Sequence, residues 1–276
     1  MHRLTLLPLL LMASPLALAD DNGCPHSAPR QLSLDTAGAK VVRVETHQHT
    51  VRLRAAPGSS HVLSGRACAG KAAWLQDLTV TQAREGDTLV VRLRRENPAG
   101  LASLFGDNRA SLEVSGTVPE GVLVQLVVGS GEASLEGGAG ASADVGSGEA
   151  RLRGVRGAVT AKVGSGEVEV QGAGALKVLS IGSGDVEARD IGGAVEVGSI
   201  GSGDFSLDGA RGEVRIGSIG SGDAGLKRVA GAVKVGSIGS GDLEVEGAAS
   251  LAVESIGSGD VGHRGVTGAV DLPRGR

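Results

Sequence analysis

Gly182-Ser183-Gly184-Asp185-Val186-Glu187-Ala188-Arg189-Asp190-Ile191-Gly192-Gly193-Ala194-Val195-Glu196-Val197-Gly198-Ser199-Ile200 is followed at once by another Gly-Ser-Gly-Asp, at residues 201–204. The tetrapeptide Gly-Ser-Gly-Asp/Glu occurs eight times, with first glycines at 129, 146, 164, 182, 201, 220, 239 and 257, so the intervals run 17, 18, 18, 19, 19, 19 and 18 residues. That interval is too short for a helix-turn-helix unit and suits one coil of a stacked β-structure. Within the quoted coil Val186 and Ala188 alternate with Glu187 and Arg189, the period-two pattern of a half-buried strand. Ile191 marks a corner, after which Val195 and Val197 point inward on either side of Glu196. Two residues rather than one separate Val197 from Ile200, which breaks the alternation and predicts a bulge or bend at Gly198. Each coil therefore carries two short strands and two glycine turns.

Aligning the eight units places Ile181, Ile200, Ile219, Ile238 and Ile256 in one inward column immediately before the turn. The core is thin and aliphatic, stabilised by stacked side chains and by main-chain bonds between coils spaced about 4.8 Å apart. Only ten of the 47 glycines precede residue 129, as expected if repeated backbone positions need positive φ or close approach between coils. Collagen is excluded, because glycine does not fall at every third position and Pro273 is the only proline from residue 129 onward. The fold class is all-β: a β-solenoid over residues 121–276, preceded by a small N-terminal β-domain over residues 20–120.

Residues 1–19 read as a cleaved signal peptide, with Arg3, an apolar run from Leu4 to Met12, and Ala17-Leu18-Ala19 before the cleavage point. The run is too short to span a bilayer, and no other segment approaches transmembrane length. The expectation is an exported protein, periplasmic or extracellular. In that setting Cys24 and Cys68, the only cysteines, are expected to form one disulfide. His47 and His49 flank Gln48 at strand spacing, and the expectation is that they share a solvent-exposed face. Strands are predicted over residues 40–45, 50–54, 75–81, 88–94 and 110–115, with a hairpin turn at Glu85-Gly86-Asp87, a core position for Trp74, a loop over 96–109 carrying Phe105, and a turn at Pro119-Glu120-Gly121. At the far end His263 stands in an inward column, and the tail Asp271-Leu272-Pro273-Arg274-Gly275-Arg276 is charged and contains proline; together they read as a cap that keeps the protein monomeric.

Several function classes are disfavoured. Arginines 43, 52, 54, 92, 94 and 95 lie on wet strand faces, the net charge is -4, and three aromatics give no stacking platform, so no nucleic-acid partner is expected. No Gly-x-Ser-x-Gly elbow, His-Glu-x-x-His or P-loop occurs, and no enzymatic activity or cofactor is expected. The export signal, the Val118-Pro119-Glu120-Gly121 turn and the run of Gly-Ser-Gly-Asp-Val-like units resemble bacterial β-strand-repeat envelope proteins grouped as a domain of unknown function, a family similar to the adhesin-type head domain called the GIN domain. The resemblance covers residues 40 to 270. It implies a β-solenoid of the cell envelope with no established activity and no catalytic residues to carry over. The partner it implies is an unidentified envelope or surface component.

Two outward columns carry charge. Arg189, Asp208, Lys227, Glu246 and Arg264 alternate in sign, which favours pairing across coils and disfavours slipped registers. The column just after the turn, Glu132, Glu149, Glu167, Asp185, Asp204, Asp223, Asp242 and Asp260, is acidic throughout. Like charges at that spacing repel by roughly 0.9 kcal/mol per neighbouring pair in water before screening, so something must offset them. One reading is that each carboxylate accepts hydrogen bonds from amides or hydroxyls of its own or the next turn. The alternative, from another class, is a divalent-cation-binding or polysaccharide-acting β-helix protein that uses this column.

Overall fold

The computed structural model describes residues 24–96 and 110–273; residues 1–23, with the segment read as a signal peptide, residues 97–109, with Phe105 and most of the expected loop, and Arg274-Gly275-Arg276 lie outside the described residues. The protein is a β-solenoid built from two stacks of parallel strands joined at one corner by tight turns. In one coil β13 (Asp185–Ile191) follows the Gly182 turn and β14 (Val195–Ile200) leads into the next. The strand after the turn pairs in register with its counterpart one coil on, Val186 with Phe205 and Arg189 with Asp208. The strand before the turn does likewise, Val195 with Val214 and Ile200 with Ile219. The inward positions read from the alternation are buried: Val186, Ala188, Ile191, Val195, Val197 and Ile200 are each no more than 3% exposed. Phe205 is the largest of the fully buried side chains among the described residues, 1% exposed.

The bend at Gly198 is present. Pairing passes from Val178–Val197 to Ser180–Ser199, skipping one pair. Val197 and Ile200 both face the core while Gly198 faces out. A Cβ on Gly198 would run into the carbonyl oxygen of Leu179 in the coil before. The second corner obeys a different demand. Eight residues after each first glycine the chain takes a positive φ, and Gly137, Gly154, Gly172, Gly209, Gly247 and Gly265 supply it without a Cβ penalty. Two coils place other residues there, Asp190 (φ 56) and Arg228 (φ 53). That corner is therefore at Asp190, one residue before the Ile191 that marks it in the sequence pattern.

The N-terminal region continues the same stack. Strand β2 (Val41–His47) pairs in parallel with β8 (Leu123–Val128), Val42 beside Val124, and β3 (Thr50–Ala56) pairs in parallel with β9 (Glu132–Glu136), Val51 beside Ala133. On their other side β2 and β3 pair with β6 (Thr88–Arg95) and β7 (Ala110–Pro119). Two coils thus lie beneath the first Gly-Ser-Gly coil, and residue 120 marks where the repeat begins without breaking the sheet. Stacking order departs from chain order here, since the coil formed first, β2–β3, lies between β6–β7 and β8–β9.

Antiparallel strands finish this end: β5 (Leu78–Glu85) along β6, β4 (His61–Ala69) along β7, and β1 (His26–Leu34) along β4. The parallel stack thus ends under antiparallel strands on both of its edges, with β5 covering β6 and β4 covering β7. The Cys24–Cys68 disulfide fastens the start of β1 to β4, across a separation of 44 residues. The strands β1 and β4 were not among those predicted, and residues 72–77 form a 3-10 turn where the pattern predicts the start of β5. Trp74 is not a core residue. It sits half-buried in that turn, and Lys71 Nζ and the Arg95 guanidinium lie 4.9 and 4.8 Å from its ring centre.

Candidate functional site

The corner formed by the eight Gly-Ser-Gly-Asp/Glu turns is the most regular feature of the surface. In every turn the amides point to the preceding coil: Gly201 N–H donates to Ile181 O (2.8 Å), and Ser202 and Gly203 N–H both donate to Gly182 O (2.8 and 3.1 Å). The pattern recurs at 220, 239 and 257. This close stacking is why the third residue is glycine. A Cβ on Gly203 or Gly222 would strike the carbonyl oxygen of Gly184 or Gly203, and neither glycine has a positive φ.

The acidic column resolves into two kinds of contact. Glu149, Glu167 and Asp185 donate their own amides to the carbonyls of Gly131, Gly148 and Gly166 (3.0, 2.9 and 2.9 Å). From Asp204 onward the acceptor changes to a side chain. Asp204 N–H donates to Asp185 Oδ1 (3.1 Å), Asp223 to Asp204 (3.0 Å), Asp242 to Asp223 (3.0 Å) and Asp260 to Asp242 (2.9 Å). An aspartate is one methylene shorter than a glutamate, so its carboxylate stays beside the main chain and meets the next amide. These four bonds offset the repulsion along the aspartate part of the column. Where glutamates remain the repulsion shows: burial and the neighbouring Glu149, Glu187 and Asp185 push the Glu167 carboxyl above its usual range. The eight side chains are exposed apart from the half-buried Glu149. Among the described residues no three His, Cys, Asp or Glu side chains converge as a metal site would require.

The alternating column keeps its register from Arg189 to Arg264, yet only Glu246–Arg264 pairs across adjacent coils within it (2.7 Å). Asp208 pairs instead with Arg228 (2.9 Å), and Arg189 reaches Glu187 (2.7 Å) and Glu169 (3.5 Å). Long exposed side chains reach along their own strand or diagonally as readily as straight across. His263 lies beside Val245 in the inward register as predicted, but at the last coil it is exposed.

Sequence reasoning places His47 and His49 together on the surface, and the structure separates them. Thr46-His47-Gln48-His49 is the turn of the β2–β3 coil, stacked under Gly129-Ser130-Gly131, whose amides reach His47 O (2.7 and 2.9 Å). The bend at His47 (φ 51) sends its side chain out, while His49 turns in and is 1% exposed. Burial, with His47 and Arg95 nearby, lowers the His49 pKa to about 4. No glycine marks this turn in the sequence; only the register, with Thr50 beside Glu132, shows that it lies in line with the Gly-Ser-Gly turns.

Two outer faces stand out beside these corners. Arg52, Arg54, Arg151 and Arg153 surround a shallow depression of about 630 Å³, but each is engaged by a glutamate: Arg52 by Glu113 (2.7 Å), Arg54 by Glu136 (2.8 Å), Arg153 by Glu169 (3.1 Å) and Arg151 by Glu149. On the other sheet Leu123, Val127 and Leu179 are exposed along a groove of about 670 Å³. Among the described residues no helix is long and apolar enough to cross a membrane.

No protein-family model matches the chain, and no curated protein matches it in sequence. Solved structures do resemble it. A "putative lipid binding protein" from Parabacteroides distasonis ATCC 8503 superposes with a TM-score of 0.53 at 15% identity, over 88% of this chain and 98% of that one. The likeness is one of fold. A "putative adhesin" from the same strain (TM-score 0.49, 14% identity, 87% and 97% covered) and one from Parabacteroides merdae ATCC 43184 (0.46, 14%, 88% and 97%) fall below the similarity from which a shared fold follows.

Proposed function

We propose that the chain is an exported, non-enzymatic protein of the cell envelope, a rigid β-solenoid that serves as a scaffold or adhesin-like binding module. The observation that carries this reading is the uniformity of the rod: its polar side chains recur coil after coil in columns that bind neighbouring coils. A catalytic centre is a single constellation, whereas this pattern spreads the same chemistry along a surface. The Cys24–Cys68 bond supports an oxidising compartment. The solved structure of similar fold, named as a lipid-binding protein, is compatible with a binding role.

Fractionation of cells expressing the full chain, followed by co-sedimentation of the purified protein with isolated envelope material, tests the reading. Recovery outside the cytoplasm with both cysteines bonded, and saturable co-sedimentation, are the expected results. Cytoplasmic retention with two free thiols, or envelope binding that never saturates, would contradict it.

A further inference from the structure

Among the described residues three polar side chains are fully buried, Thr46, His49 and His61, and two of them share one corner. At the turn of the β2–β3 coil Thr46 and His49 point inward and are 0% and 1% exposed. His49 and Arg95 line a cavity of about 400 Å³ together with His47, Gln48, Arg94 and Glu96. Four buried polar atoms here have no hydrogen-bond partner: Thr46 Oγ1, His49 Nε2, and Nε and Nη2 of Arg95. Buried donors without partners are uncommon and costly, so such a concentration calls for an explanation.

The donors are of a specific kind. His49 Nδ1 accepts the Leu112 amide (3.2 Å), which leaves the proton on Nε2 and makes that atom a donor. Nε and Nη2 form one edge of the Arg95 guanidinium, the fork that meets two oxygens of a carboxylate or phosphate side by side. Trp74, with its ring centre 4.8 Å from the guanidinium, holds that fork in place. Arg94 adds a second positive charge to the lining, and the one carboxylate there, Glu96, is engaged by the Thr79 hydroxyl (3.0 Å). None of these donors belongs to residues 97–109.

We propose that this corner is a binding site for a small oxyanion, a phosphate or carboxylate group, seated on the Nε–Nη2 edge of Arg95 and the Nε2–H of His49. The site lies at the capped end of the corner formed by the Gly-Ser-Gly turns, in the turn directly beneath Gly129-Ser130-Gly131, so it would tether a ligand to one end and leave the repeats beyond it free.

Melting of the full chain in increasing inorganic phosphate, and separately in acetate, against sodium chloride of matched ionic strength tests this. The expected result is a saturable rise in Tm with at least one of the two anions that chloride does not reproduce. Which anion acts distinguishes a phosphoryl from a carboxylate ligand. Arg95→Gln should weaken binding by about tenfold or more, the loss expected for a bidentate charge-assisted pair. Arg54→Gln, on the outer face, should bind as wild type does. A Tm that follows ionic strength alone, or anion binding unchanged in Arg95→Gln, would overturn the proposal. Should Arg95→Gln fail to fold, the His49 Nε2–H resonance of the wild-type protein gives the answer: it shifts on anion addition if the site is real, and an unmoved resonance overturns the proposal.

Discussion

The coils from Gly182 onward and the coil made by Val41–Ala56 place their turns at the same corner of the same stack, yet one turn is Gly-Ser-Gly and the other is His47-Gln48-His49. The difference shows what the glycines are for. In the repeats each turn sits directly on another tight turn, and a Cβ on its third residue would enter the carbonyl below. On the other side of His47-Gln48-His49 the paired strands β6 and β7 end at Arg95 and begin at Ala110, so they are not joined by a three-residue Gly-Ser-Gly turn. Glycine is thus required by what lies under a turn, and the first coil uses its freedom to bury a histidine.

The sharpest break of this comparison is Gly203→Val against Gln48→Val. Forcing a branched side chain into the carbonyl of the coil below should cost about 3 kcal/mol or more. The exposed Gln48 should change stability by no more than about 0.5 kcal/mol. Denaturant unfolding of both variants checks this, and equal losses would show that the two turns are packed alike.

Acid separates the two regions next. His49 has a folded pKa of about 4 against 6.5 when unfolded, so between those values the unfolded chain binds the extra proton. Stability is therefore complete above pH 6.5 and falls as the pH drops toward 4, by about 3 kcal/mol in all. Unfolding free energy measured across that range in wild type and His49→Gln should diverge at neutral pH and converge at acid pH. Parallel curves would mean that His49 does not titrate as its burial requires.

Smaller effects probe the repeats themselves. Asp204→Ala removes the acceptor for the Asp223 amide and should cost about 1 kcal/mol. Asp204→Asn keeps an acceptor oxygen while relieving repulsion, and should leave the melting temperature unchanged or slightly raised. Smallest of all is Arg228→Gly. It relieves a left-handed backbone worth about 1 kcal/mol and gives up an exposed pair with Asp208 worth about 0.5, for a net gain of about 0.5 kcal/mol in denaturant titration.

The repeat was legible because a solenoid writes its geometry into fixed columns: Val186, Val195 and Ile200 could be assigned to the core from spacing alone. The same reasoning ended at residue 120, where the columns lose their glycine markers although the sheet continues through Val42 and Val51. The burial of His49 depends on a turn with φ 51 at His47, and nothing in a Thr-His-Gln-His sequence announces that conformation. The positive-φ corner was partly hidden for the opposite reason, since Asp190 and Arg228 occupy a position that six other coils give to glycine. Pairing in the alternating charge column also lay beyond the pattern, because register fixes Cβ positions and leaves long side chains such as Arg189 a choice of partners.

The central claim is that the aspartate column joins coils through carboxylate-to-amide bonds, each serving the next coil. Hydrogen exchange at the amides of Asp204, Asp223, Asp242 and Asp260 in wild type and Asp204→Ala measures it most directly. Exchange should quicken by about tenfold at Asp223 alone, the amide whose acceptor has been removed, while Asp242 and Asp260 keep their protection. Unchanged protection at Asp223, or a loss shared equally by the whole column, would contradict the account.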